Sequence, residues 1–558
     1  MVETLFSEKC LCHLEKISMR ARDEQNELLF RILDKNKDTV FGKKYGFSDI
    51  ASFEEYQKRI PYTDYSDYED LIEREIAGER GVFTSEPPFF FCISSGSLGK
   101  SKFFPLTMTD ARLQHIYWDG AIRAIIRRDL KQYSEEELFG NIFLMCDTFL
   151  TNMPDGAING VRSGVSARMQ YSDNTYPFEL YYAPKEVLFP EELIDMQYVK
   201  FRFALAQKDI TAIHANFVHK TVAALRYLTS HWELFLSDIE SGNVDPSFGI
   251  NEKWTAYVKE HLPPDPERAA QLRAFSGPDL ASGLIKKIWP EVKYLRLSDG
   301  MQFHPFSKQL ESYSGGIPLY PLVFAASEGV FCIAQGVGKK DSYIMLPDAC
   351  FFEFIPEENE NANTLPLWEL EKGKRYELVV TTVSGLYRYR MSDIIEVVGF
   401  LGTTPLISAI YRKGQCINLA GENMNAVQFE NAIGMLFGDQ ELFTKGYCVA
   451  GNCKINPPCY CVFIEGELSF PEDAQKAMDD AFKQSCPDYK VARDNGRIGQ
   501  AQVIRLMPGS FEEFECSFSS REGKRSEQTK PLKILQTKEQ ISFFEGKELN
   551  KRSYGTAS

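Results

Sequence analysis

The run SSGSLGKSK at residues 94–102 packs hydroxyls, two glycines and two lysines into one short loop. Hydroxyls and unencumbered backbone N–H groups grip phosphate oxygens, and lysine adds point charge. The run falls one residue short of a P-loop. G-x-x-x-x-G-K-[ST], counted back from Gly99-Lys100-Ser101, demands glycine where the chain has Ser94. Three more segments carry groups of the same kind. In Phe324-Ala325-Ala326-Ser327-Glu328-Gly329 an aromatic can stack on a base, and a glutamate beside phosphates can hold Mg²⁺ through oxygen. In the run from Gly385 through Tyr387-Arg388-Tyr389-Arg390 to Ser392-Asp393, an aspartate precedes a β-branched strand and can take both hydroxyls of a ribose. The competing reading is an edge strand with Arg388 and Arg390 turned to solvent. In Tyr411-Arg412-Lys413-Gly414-Gln415, followed by Glu422, basic residues at a hinge can meet phosphates when two domains close. A solvated turn has the same composition.

Covalent catalysis lacks its signatures. Gly164-Val165-Ser166-Ala167-Arg168 misses the closing glycine of a nucleophile elbow. No H-E-x-x-H is present, His214 and His219 are spaced wrongly for one helix face, and no dinucleotide-type G-x-G-x-x-G follows a strand. Chemistry by positioning and charge stabilisation remains. Thirteen cysteines, an odd number scattered apart from the pairs Cys10/Cys12 and Cys459/Cys461, read as free thiols of a reducing compartment. A net charge of −15 argues against nucleic acid or an anionic membrane as partner. The N-terminal segment is charged too early for a signal sequence, and no apolar run approaches the ~18–20 residues of a membrane span. A cytoplasmic protein is expected.

Those residues need a scaffold. At 558 residues the chain is too long for one core, and two domains are expected, over 1–402 and 403–558. Apolar spacing predicts one or two helices in 3–36 and charged helices in 50–75 broken at Pro61. Residues 87–94 read as a buried strand entering the serine loop, followed by a helix over 109–128. A strand, glycine loop and helix in that order present N–H groups to an anion. Further on, β-like runs (NIFLMC, YPLVFAA, GVFCIA, FFEFI, YELVVTTV, IIEVVGF) alternate with helical stretches at 217–239 and 266–287. The fold class is mixed α/β. A large N-terminal domain has several sheets and flanking helices, and a smaller α+β domain follows a change of texture at Gly402-Thr403-Thr404-Pro405.

Taken in order, these segments resemble the auxin-responsive family of acyl-acid amido synthetases, a branch of the firefly-luciferase-type adenylate-forming enzymes. The likeness lies in the opening segment 26–55, SSGSLGKSK, the FAASE element, WPEVKYL (289–295), FFEFIP (351–356), YRYRMSD, YRKGQ and a late Gln528-Thr529-Lys530-Pro531. It spans nearly the whole chain, with the shorter loop spacing of bacterial and general adenylating enzymes. Three positions depart from the family pattern. Ser97 stands for a threonine, Ala326 for the first serine of the S-S-E element, and Ser392 for the glycine before the ribose aspartate.

The resemblance implies a two-step, ATP-dependent ligase with Mg²⁺ as cofactor and a mobile C-terminal domain. A carboxylic acid becomes an acyl-adenylate, and the amine of an amino acid then takes the acyl group. It implies that Ser94, Ser95, Gly96 and Ser97 hold phosphates with Lys102 nearby, and that Glu328 binds the metal. Phe324, Ala326, Ser327 and Tyr387 would border the nucleotide and Asp393 its ribose. Arg412 or Lys413 would reach the α-phosphate, and Lys530 would add charge from the mobile domain. An apolar, aromatic acid pocket is expected near Tyr117, Trp118, Ser163 and Ser166. The partners are small molecules, with neither nucleic acid nor membrane, and the protein is read as a monomer. The same fold also serves adenylating enzymes with a thiol acceptor such as coenzyme A, and silent binding proteins.

Overall fold

The computed structural model describes residues 2–94, 102–146, 150–152, 158–164, 181–190, 196–299, 304–359, 362–413, 416–417, 419–420, 422, 424–437, 446–466, 470–521, 533–535 and 537–549. The chain divides into two compact units. Of the described residues, one comprises 2–94, 102–391 and 395–409, and the other 392–394 together with those from 410 on. The texture change at 402–405 is a hairpin turn inside one sheet. Gly402, at φ +60, joins the Tyr389–Leu401 and Thr404–Arg412 strands, and the division cuts both of these strands and not the turn.

The first unit opens with helices Val2–Ser18 and Ala21–Asn36. Helix Tyr65–Ile76 starts at an Asp64/Asp67 capping box, three residues after Pro61 ends the preceding segment. Three sheets follow. An antiparallel-rich sheet of four strands has the order Lys102–Leu106, Phe90–Ser94, Ile158–Gly160, Leu150–Asn152. A second of four pairs Ile142–Leu144, Ala212–Phe217, Tyr294–Ser298 and Leu319–Tyr320 in parallel. The third has eight strands, and Tyr389–Leu401 lies inside it between Arg375–Thr382 and Thr404–Arg412. That strand is not an edge.

Two expected helices are broken. The 217–239 stretch is Val218–Ser230 and Trp232–Ser241, parted at His231. In the 266–287 stretch, Gly277 and Gly283 adopt positive φ (+132 and +63) and separate Pro266–Arg273 from Leu284–Ile288.

The second unit is built on a three-stranded sheet, Tyr447–Asn452, Cys459–Glu465 and Gln502–Leu506. Strand alternation splits its side chains between two cores. Tyr447, Val449, Tyr460, Val462 and Ile464 face one, while Cys448, Ala450, Cys459, Cys461 and Phe463 face the other. Cys459 and Cys461 share a face because they are two apart on a strand, and they pack as small apolar groups. Among the described residues no helix is long and apolar enough to cross a membrane.

Candidate active site

The serine loop joins two strands. Phe90–Ser94 and Lys102–Leu106 pair antiparallel with Ser94 opposite Lys102, and the loop residues between them lie outside the described set. The helix comes only afterwards, at Met108, where Thr107 caps it by accepting the Asp110 N–H. The expected strand, loop and helix is therefore a hairpin followed by a helix. The reason is local: Phe103 and Phe104 continue the β pattern past the loop, and the first capping residue is Thr107. The helix then carries a π-helical turn over His115–Ala121 before continuing as Ile122–Asp129.

The Phe324–Glu328 element belongs to a hairpin of its own. Val323–Ala326 pairs antiparallel with Gly329–Ala334, Ala326 facing Gly329, so Ser327 and Glu328 form the turn. The Ser327 hydroxyl donates to the Ile93 carbonyl (3.2 Å), which ties this turn to the strand that enters the serine loop. The Ser327 carbonyl accepts from Arg162 (3.1 Å). The Arg162 guanidinium also binds both oxygens of Asp110 (2.9 and 3.2 Å) and Gln114 (3.3 Å). Asp110 accepts the Ser384 hydroxyl (3.1 Å), and Ser384 Oγ accepts the Thr107 N–H (3.2 Å). Arg162 and Asp110 are 6% and 5% exposed. Glu328, the next residue in the same turn, is buried too.

A second group forms within the other unit. The Lys413 N–H donates to the Ser392 carbonyl at 2.6 Å, which sets Arg412 and Lys413 against Ser392 and Asp393. Ser392 has φ +60, the left-handed conformation that glycine adopts freely. Glu422 shapes the chain just after the hinge. Its carboxylate accepts the Leu419 and Ala420 N–H groups (both 2.7 Å) and the Tyr460 hydroxyl.

Lys102 rests its ammonium over the Tyr65 ring, 5.0 Å from its centre. Tyr387 is not at a ligand site. It is fully buried, donates its hydroxyl to the Phe83 carbonyl (2.7 Å) and stacks on Phe41. Nor does Arg388 reach solvent. It is 4% exposed, paired with Glu353 (2.9 Å) and bound to the Gln57 and Ile60 carbonyls (2.8 Å each), in the bend at φ +48 that precedes the interior strand Tyr389–Leu401. Arg390 pairs with the buried Glu377 (2.6 Å). Ser95, Gly96, Ser97, Ser166 and Lys530, with the side chains of Ser94 and Phe324, lie outside the described residues.

A cavity of about 60 Å³ opens beside the π-helical turn. Trp118 and Ser163 line it, with Arg123, His214, Tyr294 and Arg296 among the other wall residues. Tyr117 is not in its wall. It is buried and donates its hydroxyl to Asp348. Burial, reinforced by Arg296 and Arg123, holds the His214 imidazole well below its ordinary pKa, so this wall is neutral at His214. On the strand entering the serine loop, burial pushes the Cys92 thiol up to about 12, which keeps it protonated. Among the described residues no cluster of three His, Cys, Asp or Glu side chains could cage a metal. A single carboxylate such as Glu328 suits Mg²⁺, which keeps water and takes its other ligands from phosphates.

Sequence reasoning missed Arg162, Asp110 and Arg296. Asp110 looks like any acid in a helix's first turn, and Arg162 follows an ING strand without periodicity. Arg296 alone left a trace, as a cation inside the apolar run YLRLS.

Three profiles of one family match the chain in order: the GH3 family N-terminal domain over residues 10–319, its central domain over 343–412 and its C-terminal domain over 424–539. The chain is 24% identical to the indole-3-acetic acid-amido synthetase GH3.3 of Arabidopsis thaliana, covering 91% of this chain and 88% of that one. It is 26% identical to the indole-3-acetic acid-amido synthetase GH3.8 of Oryza sativa subsp. indica, covering 88% and 84%. A solved structure of AtGH3.15 acyl acid amido synthetase in complex with 2,4-DB superposes with a TM-score of 0.83 at 21% identity, covering 97% and 96%.

Proposed function

The chain belongs to the GH3 family, and from that premise we propose that it is an ATP-dependent acyl-acid amido synthetase. It adenylates a carboxylic acid with release of pyrophosphate, then passes the acyl group to the amine of an amino acid, giving an amide and AMP. One observation supports the reading: Ser327 bonds the Ile93 carbonyl (3.2 Å), so the Ser327-Glu328 turn is tied to the strand that feeds the serine loop. A carboxylate at the rim of a hydroxyl- and glycine-rich loop is the arrangement a metal-bound triphosphate needs.

A carboxylate is a poor electrophile, so it is activated first. Its oxygen attacks the α-phosphate of ATP. Ser94, Ser95, Gly96 and Ser97 hold the phosphates and Lys102 adds charge. Phe324 and Ala326 border the adenine, while Asp393 takes the ribose hydroxyls. Arg412 and Lys413 offer charge to the α-phosphate. Ser327 acts by fixing Glu328, since its hydroxyl is spent on Ile93. Glu328 would hold Mg²⁺, which when bound neutralises charge on the departing pyrophosphate. The residues from 410 on form the domain that then moves, excludes water and brings Lys530 to one of its two positions. An amine attacks the acyl-adenylate carbonyl and AMP leaves. The enzyme is a cytoplasmic monomer acting on small molecules.

ATP–pyrophosphate exchange with a panel of acids tests this. Exchange with at least one acid, lost at least about 100-fold in Glu328→Ala, is expected. Absence of exchange with every acid would sink the enzyme reading. Product mass after adding amino acids or coenzyme A identifies the acceptor, and a thioester in place of an amide would overturn the amide assignment.

A further inference from the structure

The wall of the cavity beside the π-helical turn carries Arg296, a cation that forms no ion pair with any described residue. Arg296 lies on the Tyr294–Ser298 strand, where residues 294 and 296 face the cavity while Leu295 and Leu297 face the core of the parallel sheet. Its strand neighbour in register is His214, another wall residue. The charged wall residues Arg123 and Asp119 each have a hydrogen-bonded partner. Arg123 binds Glu135 (2.8 Å), and the Asp119 carboxylate meets the His115 ring (2.9 Å). Arg296 makes no hydrogen bond or ion pair with any described residue, and its Nε is buried without a partner. The Trp118 indole N–H, in the same wall and 6% exposed, is also unpartnered. The Arg296 Nε and the Trp118 indole N–H are buried in the cavity wall without an acceptor among the described residues, which is costly, and a fold retains such donors where a ligand supplies the acceptors.

We propose that Arg296, assisted by the Trp118 N–H, recognises a second carboxylate on the acyl acid, so that the enzyme selects short dicarboxylic acids and activates the other end. This rests on the acyl-acid ligase reading. The two ends are told apart by the wall. Ser163 adjoins Arg162, which holds the Ser327 carbonyl and thus the Glu328 turn, so the reacting carboxylate belongs on that side. Arg296 belongs to a different sheet, from which it reaches the remaining group. Apolar walls from Ile122, Ile126 and Leu322 suit the methylene chain between them. Arg296 can grip a carboxylate with two parallel N–H groups, which a neutral substituent cannot match.

Binding and turnover are measured separately on the full chain. Calorimetry compares pentanedioate with pentanoate, and butanedioate with butanoate, on wild type, Arg296→Met and Arg296→Lys. The diacids are expected to bind wild type about ten- to a hundredfold tighter than the matched monoacids. Arg296→Met is expected to erase that margin, leaving monoacid binding within about twofold, and Arg296→Lys to keep part of it. Equal binding of diacid and monoacid by wild type overturns the inference, whether or not the variants fold. So does a diacid preference that survives Arg296→Met. Pyrophosphate exchange with the same acids reports on the ligase reading alone. Diacid binding without exchange supports the anion subsite and counts against the ligase, whereas monoacid exchange without diacid preference does the reverse. Monoacid binding that falls equally with diacid binding in Arg296→Met would assign Arg296 to the reacting carboxylate and overturn the second-carboxylate role.

Discussion

Arg162 grips both oxygens of the Asp110 carboxylate, at 2.9 and 3.2 Å, with the two side chains almost sealed from water. The third hydrogen-bonding direction of the guanidinium runs to the Ser327 carbonyl. The pair therefore joins the helix after the serine loop, the chain after the Ile158–Gly160 strand and the Ser327-Glu328 turn. Taking two ions out of water is expensive, and the two-pronged contact with Asp110 and the bonds to Gln114 and Ser327 offset part of that cost, while Arg162 Nε stays buried without a partner among the described residues.

Breaking this pair from one side should be severe. Arg162→Met leaves Asp110 charged and buried, and is expected to cost about 3–5 kcal/mol of unfolding free energy. Asp110→Leu added to Arg162→Met should recover part of that loss, since no orphan ion remains. Urea titration of the single and double variants measures both. A single variant within about 1 kcal/mol of wild type would show that the pair supports little.

The limits of sequence reading follow from the same residues. The pieces that local chemistry dictates were legible: the N-terminal helices, the strand before the serine loop, and the mixed α/β class with its sheets. Family resemblance further drew attention to Glu328, Asp393 and Arg412. Long-range pairing was not legible. Nothing near Tyr387 or Arg388 in the chain announces that Phe41, Phe83 and Glu353 will surround them, so a YRYR run that looks ready for a ligand is half core. Likewise the hairpin at the serine loop depends on Lys102 pairing with Ser94, a register that composition does not encode. Arg162 and Asp110 lie far apart in sequence, and only the sheet brings them together.

Ser392 occupies a left-handed backbone position, φ +60, where relatives of this type have glycine by resemblance. Its carbonyl is fixed by the Lys413 N–H at 2.6 Å, so the turn cannot relax without releasing the chain beside Asp393. A Cβ in this conformation costs about 1 kcal/mol, partly returned by the extra freedom glycine has when unfolded. Ser392→Gly is expected to stabilise by about 0.5 kcal/mol, and Ser392→Val to destabilise by about 1–2 kcal/mol. Denaturation midpoints of the two variants decide it. A destabilised glycine variant would mean that the serine side chain outweighs its backbone strain.

Glu75 is 1% exposed, and one of its oxygens is buried without a hydrogen-bond partner. Burial pushes its carboxyl up to about 7, while the Val82 N–H (3.1 Å) pulls only partly in the other direction. A carboxyl with a raised folded-state pKa stabilises when protonated. Its contribution is complete below the ordinary value of 4.5 and is lost as pH rises through about 7. The loss amounts to about 2–3 kcal/mol. Glu75→Gln keeps an acceptor for Val82 without the charge, so its melting temperature should gain on wild type between pH 5 and pH 8. A gap of the same size at both pH values would exclude Glu75 as its source.

Tyr387 separates a core role from a nucleotide role in one substitution. Its hydroxyl is committed to the Phe83 carbonyl (2.7 Å), its N–H to the Tyr68 hydroxyl (2.7 Å), and its ring to Phe41 at 4.8 Å. Tyr387→Phe keeps the stacking and removes only the donor, leaving the Phe83 carbonyl unpaired in a dry core at a cost of about 1–3 kcal/mol. Because no part of the side chain is exposed, the KM for ATP in pyrophosphate exchange should stay within about twofold of wild type. Asp393→Asn provides the contrast. On the ribose-binding role proposed for Asp393, it is expected to raise that KM about tenfold or more, since a neutral amide would replace a charged acceptor. Wild-type stability in Tyr387→Phe together with a raised KM for ATP would return Tyr387 to the nucleotide and remove it from the core.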